Sequence, residues 1–220
     1  MWPLCIVPAR SGSKRIPSKN MKPLAGITPM RRAIQCCRQA FDKEAQIVVT
    51  ADWIPRDEFD CGVHYHRAAD PLHTDTCSMV DVVLDVLRAF PGAGDQSVLL
   101  VQPTQPIRRP EHLIEAVRLL KLYPSIASVV ETTSVDKLYR LINEALVPVG
   151  GGIERDQQGG KTYACDGTVY GFHRDFFTRR KTFRDFYHTH AMVMAPDETC
   201  RLDTPNDWLI ASLLLGHLNR

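Results

Sequence analysis

Hydrophobic and polar positions follow two periods along this chain, which predict strands and helices in turn. Short apolar runs bounded by turn residues predict strands at 5–7, 46–50, 62–66, 97–102, 126–131, 168–172 and 191–195. Apolar residues three and four positions apart predict helices at 29–41, 74–90, 110–123 and 205–218. The alternation predicts the α/β fold class, with a doubly wound, mostly parallel sheet covered by helices on both faces. The sequence has no internal repeat or linker, so we expect residues 1–220 to form a single domain.

One segment, residues 133–165, interrupts this alternation. Within it, residues 138–142 and 145–149 are short apolar runs that we expect to pair around Asn143-Glu144. Glycines at 150–152 and 159–160 then frame a polar stretch. Glycine has no side chain to pack, so this composition suits an exposed loop.

Composition narrows the class of protein. Hydrophobic residues make up 44% and charged residues 24% of the 220 positions, as in ordinary soluble domains. The net charge of +2 predicts no nucleic-acid partner. No apolar run approaches the roughly 18 residues of a membrane span. Seven cysteines without a Cys-x-x-Cys pair favour reduced thiols, as in a cytosolic protein. Met1-Trp2-Pro3 leads directly into the first strand, so we expect no signal peptide. We therefore expect no membrane association and a cytoplasmic location.

The most informative local feature is the loop that follows the first strand. It carries four cations between residues 9 and 20: Arg10, Lys14, Arg15 and Lys19. The small residues at 11–13 let backbone N–H groups approach a ligand, so the loop predicts a cradle for an anion, typically a polyphosphate. Its spacing matches neither the P-loop nor the dinucleotide-binding pattern. Taken alone, the loop also suits a solvated basic turn or a nucleic-acid patch.

Four motifs in order resemble the CMP-N-acylneuraminate (sialic acid) synthetases, also called acylneuraminate cytidylyltransferases. The first is Ala-Arg-Ser-Gly-Ser-Lys-Arg-Ile-Pro-Ser-Lys-Asn at 9–20. The second is Arg67 followed by Thr-Asp-Thr-Cys-Ser at 74–78, and the third is Leu-Val-Gln-Pro-Thr-Gln-Pro-Ile-Arg at 100–108. The fourth is Leu-Asp-Thr-Pro-Asn-Asp-Trp at 202–208. The resemblance spans most of the chain and implies a Rossmann-like nucleotidyltransferase fold.

The resemblance also implies a reaction and a set of site residues. The reaction is attack by a sugar hydroxyl on the α-phosphorus of CTP, with release of pyrophosphate. The implied nucleotide-binding residues are Ala9, Arg10, Ser11, Gly12, Ser13, Lys14, Lys19, Asn20, Arg67 and Ser78. The implied catalytic residues are Arg10, Lys14 and Asp203, and the implied acceptor-binding residues are Gln102 and Asp166. Either Arg108 or Arg109 is a weaker candidate for a carboxylate on the acceptor.

Strand ends explain how distant motifs can share one site. Arg10, Asp52 and Arg67 each follow a predicted strand, and Gln102 ends one. Ligands of open parallel sheets bind at the carboxyl ends of the strands, near the point where strand order reverses. We therefore expect these loops to converge on one cleft.

The expected cofactor is Mg²⁺, and here the chain departs from the resembled family. Where the family shows Asp-x-Asp, this chain has Arg201-Leu202-Asp203, so Asp203 is the remaining candidate metal ligand. The alternative is that Asp203 caps the helix that starts at Thr204-Pro205.

The acceptor side departs as well. Asp166, in Ala-Cys-Asp-Gly at 164–167, stands where many relatives have asparagine, and Met79 stands where they tend to have serine. The activated acid is therefore expected to be a sialic-acid-like (nonulosonic) acid other than ordinary N-acetylneuraminate. The resemblance further implies a homodimer in which residues 133–165 bind the partner and reach toward its active site.

Two other functions stay open at this stage. One is transfer of the same nucleotide to a different acidic acceptor, such as an eight-carbon keto-acid or a phosphonate. The other is a non-catalytic nucleotide-binding regulator, which the cation at Arg201 favours.

Overall fold

The fold is described from a computed structural model of the chain. The described residues are 2–53, 62–68, 72, 74, 77–133, 138–143, 145–149, 161–185 and 187–218. Of the sequence predictions, Asp75, Thr76 and the glycines at 150–152 and 159–160 lie outside the described residues.

Nine strands form two sheets in the described part of the chain. They are β1 (Leu4–Pro8), β2 (Gln46–Ala51), β3 (Val63–Arg67), β4 (Ser97–Leu100), β5 (Ser125–Thr132), β6 (Tyr139–Ile142), β7 (Ala145–Pro148), β8 (Thr162–His173) and β9 (Thr189–Met194). The large sheet has seven strands in the order β3-β2-β1-β4-β8-β5-β9, and β6 and β7 form a separate antiparallel hairpin. Strand β8 runs antiparallel to both of its neighbours, whereas the other pairs in the large sheet are parallel.

The strand order places a crevice near the middle of the large sheet. From β1 the chain moves outward to β2 and β3, and then crosses to β4 on the other side of β1. The direction of winding therefore reverses between β1 and β4. In open sheets of this kind the ligand site lies at the carboxyl ends of the strands beside such a reversal.

Helices cover both faces of the large sheet. They are α1 (Pro29–Phe41), α2 (Met79–Ala89), α3 (Pro110–Leu120), α4 (Arg174–Arg180) and α5 (Pro205–Leu218), with short 3₁₀ helices at Asp42–Glu44 and Pro196–Glu198. Alternate residues of β1 divide between two cores, since Cys5 and Val7 pack with α1 and α3 while Leu4 and Ile6 pack with α2 and α4. The predicted doubly wound α/β architecture is confirmed.

Several element boundaries differ from the predictions. Helix α2 begins at Met79 rather than 74, because the apolar stripe starts there and the Ser78 hydroxyl accepts a hydrogen bond from the Val80 N–H at 3.1 Å. Helix α3 ends three residues earlier than predicted, and β8 starts six residues earlier. Helix α4 was not predicted, since seven residues are too few to display a helical period.

Two further predictions can be compared with the structure. The pairing of 138–142 with 145–149 is confirmed by the antiparallel register of β6 and β7. None of the described helices is long and apolar enough to cross a membrane.

Candidate active site

A single cleft collects the carboxyl ends of β1, β2 and β4. It has a volume of about 620 Å³. The predicted site residues that line it are Arg10, Ser13, Lys14, Lys19, Asn20, Gln102 and Asp203. Residues separated by almost two hundred positions in sequence therefore share one cavity. Of the four residues in the strand-end argument, Arg10 and Gln102 line this cavity, whereas Asp52 and Arg67 do not.

Backbone contacts hold the loop after β1 in place. The Ala9 N–H donates to the Thr50 carbonyl at 2.9 Å, and the Trp53 indole N–H donates to the Ala9 carbonyl at 3.2 Å. The Asn20 side-chain amide, which is buried, donates to the Arg10 carbonyl at 2.9 Å. Each of these bonds fixes the backbone at the start of the loop, so the Arg10 side chain projects from a rigid base.

Ser11 binds protein rather than facing the cleft. Its N–H donates to Asp52 Oδ1 at 2.8 Å and its hydroxyl donates to Asp52 Oδ2 at 2.5 Å. Ser11 and Gly12 are exposed and are not among the lining residues, whereas Ser13 is. The Ser11 N–H that the sequence suggested for a phosphate is thus already satisfied by the carboxylate that follows β2.

Cationic side chains dominate the electrostatics of the cleft. Lys19 Nζ lies 3.8 Å from Asp203 Oδ1 and donates to the Leu202 carbonyl at 2.5 Å. Burial lowers the pKa of Lys19, and the nearby guanidinium groups of Arg201, Arg10 and Arg15 lower it further, while Asp203 opposes the shift. The cleft therefore already disfavours additional positive charge, which makes it a favourable place for an anion.

Asp203 faces the cleft and does not cap the final helix. The Asp207 carboxylate accepts the backbone N–H groups of Asp203 at 3.0 Å and Thr204 at 2.7 Å. The Thr204 hydroxyl in turn accepts the Asp207 N–H at 3.2 Å. This reciprocal arrangement is a capping box, so the start of α5 is satisfied without the Asp203 side chain.

The remaining predicted residues lie beside the cleft rather than in it. Ala9 is fully buried beneath the loop, and Arg67 is exposed at the end of β3. Ser78 caps α2, while its neighbours Cys77 and Met79 line the cavity. For these residues the predicted contact with the nucleotide stays a prediction.

Asp166 lies in a buried polar cluster beside Gln102. The register of β8 against β5 shifts between Ala127 and Val129, a bulge that includes Asp166 and Gly167. A side chain at Gly167 would approach Gln102 Oε1 to 3.0 Å, so the bulge lies directly against a residue that lines the cleft. Asp166 Oδ2 accepts from the Thr168 hydroxyl, while Oδ1 has no hydrogen-bond partner among the described residues.

The two weaker arginine candidates have structural partners. Arg108 is buried and donates to the Thr168 carbonyl at 2.6 Å and the Gln102 carbonyl at 2.5 Å, so it braces the loop after β4. Burial lowers the pKa of the Arg108 guanidinium. Arg109 forms an ion pair with Glu198. Arg108 therefore holds the backbone at Gln102, and its predicted contact with an acceptor carboxylate stays a prediction.

Other lining residues were not assigned to the site from the sequence. The polar or charged ones are Arg15, Thr50, Thr74, Thr104 and Arg201, and the apolar ones include Ala51, Ala68, Leu72, Met79 and Val82. Thr50 and Thr104 each follow or end a buried strand, which is the same signal that located Gln102. Met79 had a sequence signal, since it stands where relatives tend to have serine, whereas for Val82 only the tertiary structure shows that this side of α2 faces the cavity.

The lining residues offer few oxygen ligands for a magnesium ion. Asp203 is the one acidic side chain among the described lining residues. The described residues hold no cluster of three or more His, Cys, Asp and Glu side chains that could bind a metal. Magnesium is commonly held by one or two carboxylates together with substrate phosphates. The cleft therefore suits an ion that arrives with a triphosphate rather than one caged by protein ligands.

A doubly wound α/β sheet with a cationic cleft at the reversal of strand order is typical of nucleotide-binding enzymes. The family model described as cytidylyltransferase matches residues 4–194. The chain therefore belongs to the cytidylyltransferase family, and with it to the nucleotidyltransferases.

Curated relatives match almost the whole chain. The CMP-N,N'-diacetyllegionaminic acid synthase of Legionella pneumophila is 29% identical over 227 residues, covering 96% of this chain and 95% of the relative. The N-acylneuraminate cytidylyltransferase of Streptococcus agalactiae is 29% identical over 230 residues, covering 99% of this chain. The chain spans about half (54%) of the length of that streptococcal relative.

Solved structures share the fold. A CMP:2-keto-3-deoxy-manno-octonic acid synthetase complexed with CTP superposes with a TM-score of 0.72 at 16% identity, covering 99% of this chain and 100% of the other. The 4-diphosphocytidyl-2C-methyl-D-erythritol synthase of Anaerococcus prevotii superposes with a TM-score of 0.66 at 11% identity, covering 100% and 99%. At these identities the similarity establishes the architecture.

Proposed function

We propose that this chain transfers CMP from CTP to a sialic-acid-like (nonulosonic) sugar acid and releases pyrophosphate. The observation that carries the proposal is the convergence of Arg10, Lys14 and Lys19 on one cleft with Gln102. Membership of the cytidylyltransferase family supports CTP as the nucleotide. The names of the relatives that match most of the chain support a nine-carbon keto-sugar acid as the acceptor class.

The cations of the first loop serve the chemistry of the triphosphate. Attack of a hydroxyl oxygen on the α-phosphorus requires the repulsion between nucleophile and phosphate charge to be offset, and the departing pyrophosphate carries further negative charge. Arg10 and Lys14 hold the phosphates and stabilise that developing charge. The rigid base beneath Arg10 supports this role, because a donor that is already in position needs little reorganisation during the reaction.

Magnesium is proposed as the cofactor, bound chiefly by the phosphates, with Asp203 as its protein ligand. When bound, the ion supplies charge neutralisation and polarises the phosphoryl oxygens. Turnover is expected to be lost in excess EDTA and restored by added magnesium.

The acceptor is proposed to bind on the side of the cleft formed by Gln102. Asp166 lies just behind this residue with an oxygen available to a donor, which suits a hydroxyl or amino substituent of the sugar better than its carboxylate.

A homodimer and a cytoplasmic location complete the proposal. The dimer is supported by exposed apolar side chains on the β6–β7 hairpin, and the location by the use of CTP.

Pyrophosphate release tests this function directly. The full chain is incubated with CTP, magnesium and a panel that contains nonulosonic acids, eight-carbon keto-acids and phosphonates. We expect release with CTP and a nonulosonic acid, and a loss of at least about a hundredfold in Lys14→Ala, since the ammonium acts on charge that develops in the transition state.

Lys43→Ala is the matched control. Lys43 lies in the 3₁₀ helix before β2, at the amino edge of the sheet and opposite the cleft. Its substitution should leave turnover unchanged. Equal rates in Lys14→Ala and the wild type would contradict the role of the first loop, and release with a different acid alone would replace the proposed acceptor.

A further inference from the structure

Arg201 is a cation of the cleft that is paired with an acid and largely exposed to solvent. Its Nε lies 2.7 Å from Asp203 Oδ2, and the Arg201 side chain is 63% exposed against 31% for Asp203. Exposed ion pairs of this kind contribute little to stability. Breaking the Arg201–Asp203 pair therefore costs little free energy when a more strongly charged anion enters the cavity.

The backbone of Leu202, next to Arg201, is held by hydrogen bonds, whereas the Arg201 side chain is largely exposed. The Leu202 N–H donates to the Thr104 carbonyl at 2.9 Å, and the Leu202 carbonyl accepts from Lys19 Nζ. Leu202 itself is fully buried. The guanidinium can thus change partners by rotating its own side-chain bonds, with no movement of the chain.

The charge balance of the cleft favours such a change. Its described lining residues include five cations, Arg10, Lys14, Arg15, Lys19 and Arg201, and one carboxylate, a net formal charge of +4. A fully ionised triphosphate carries about four negative charges, because each phosphate group contributes one to two. The formal charge of the described lining side chains is therefore comparable in size, and opposite in sign, to that of the nucleotide.

We propose that the Arg201 guanidinium exchanges Asp203 for the triphosphate of CTP when the nucleotide binds, and that this lets the cleft bind CTP without a metal ion. The inference rests on the proposed CTP-dependent transfer. A guanidinium presents a rigid fork of donors that matches phosphate oxygens, so the exchange replaces a solvent-exposed pair with charge-assisted bonds inside the cavity. It also leaves Lys19 as the described partner of the Asp203 carboxylate.

A double-mutant cycle measures the exchange. The dissociation constant of CTP is determined by calorimetry in EDTA for the wild type, Arg201→Gln, Asp203→Asn and the double variant. We expect Arg201→Gln to weaken CTP binding by at least about tenfold in both backgrounds, because a charge-assisted bond to phosphate is lost each time. Arg201→Lys should weaken it less, since the positive charge remains without the bidentate geometry.

The cycle separates two roles that a single substitution confounds. An arginine that only masks the carboxylate would weaken binding when removed from the wild type and have no effect in the Asp203→Asn background. That result would overturn the inference, as would an unchanged constant in both backgrounds. Arg118→Gln is the control, because Arg118 is similarly exposed and pairs with Glu115 at 2.6 Å outside the cleft.

Measurements with magnesium distinguish this inference from the proposed function. A wild-type chain that binds CTP only when magnesium is present would overturn the metal-free role of Arg201 and leave CTP-dependent transfer standing. A chain that binds CTP under neither condition would overturn both. Circular dichroism of each variant checks that the fold is intact.

Discussion

At the scale of single residues, the cleft places several cationic side chains close together, where partial burial already disfavours their charged forms. Lys19 shows this most clearly, since it lies between Asp203 and the Leu202 carbonyl and its pKa is lowered by burial and by neighbouring cations. The charged form of such a lysine is stabilised strongly when an anion binds beside it. The same arrangement gives the affinity for a nucleotide a particular dependence on pH.

We expect CTP to bind more weakly as the pH rises from 7 toward 10.5, the ordinary pKa of lysine. The pKa of Lys19 lies below that value in the free chain, and bound phosphate raises it, so binding takes up a proton and loses strength as the free lysine deprotonates. Calorimetry across this range measures the decline. Lys19→Arg, which does not titrate there, should flatten it, and an identical decline in both proteins would assign the effect to another group.

Single residues also show which features can be predicted from the sequence and which require the structure. The cations of the first loop are recognisable because four of them lie within a span of ten positions, from Arg10 to Lys19, that follows a predicted strand. The partners of Ser11 and Arg108 were not, because Asp52 and the Thr168 carbonyl lie 41 and 60 positions away. Local spacing carries no information on such contacts.

At the scale of secondary-structure elements, caps decide where the helices near the cleft begin. Ser78 starts α2 by accepting the Val80 N–H, and Thr204 with Asp207 starts α5. Both caps fall inside motifs that the sequence associates with nucleotide chemistry. A structural role and a functional role therefore compete for the same residues, and substitution can separate them.

We expect Ser78→Ala to lower the free energy of unfolding by about 1 kcal/mol and to leave the affinity for CTP unchanged, because the hydroxyl caps α2. Urea denaturation and calorimetry give the two quantities. Ser78→Asn retains a capping oxygen and should restore most of the stability. A loss of CTP affinity in Ser78→Ala without loss of stability would instead support the contact with the nucleotide that the sequence predicts.

At the scale of the whole molecule, two apolar surfaces lack partners among the described residues of the chain. The β6–β7 hairpin exposes Leu141 to 72% and Ile142 to 49%, and helix α5 exposes Leu209 to 59% and Leu213 to 67%. A two-stranded hairpin is marginally stable in water by itself. Burial of these side chains against a second copy of the chain would supply the missing stabilisation.

We expect Leu141→Glu to convert a dimer into a monomer, because it places a charge in an apolar contact. Light scattering after size exclusion reports the mass. Leu122→Glu is the control, since Leu122 is exposed to a similar extent (67%) in the turn after α3. A mass that Leu141→Glu leaves at twice that of the chain would contradict the role of the hairpin, as would a monomeric wild type.

The sequence by itself determined the order of strands and helices along the chain, apart from the short helix α4, and the location of the cationic loop. It did so because periodicity, caps and breakers act over a few residues, and those rules are legible along the chain. It also predicted that the loops bearing Arg10 and Gln102 meet, since the carboxyl ends of parallel strands share one edge.

Only the tertiary structure decided how charge is paired within the cleft. Lys19 meets the Leu202 carbonyl across 183 positions, and Asp203 is left to Arg201 and Lys19 because Asp207 caps the helix in its place. Such pairings depend on which side chains the packed sheet and helices bring within hydrogen-bond distance. Spacing along the chain does not encode that distance, so the partners of the key acid emerged only from the fold.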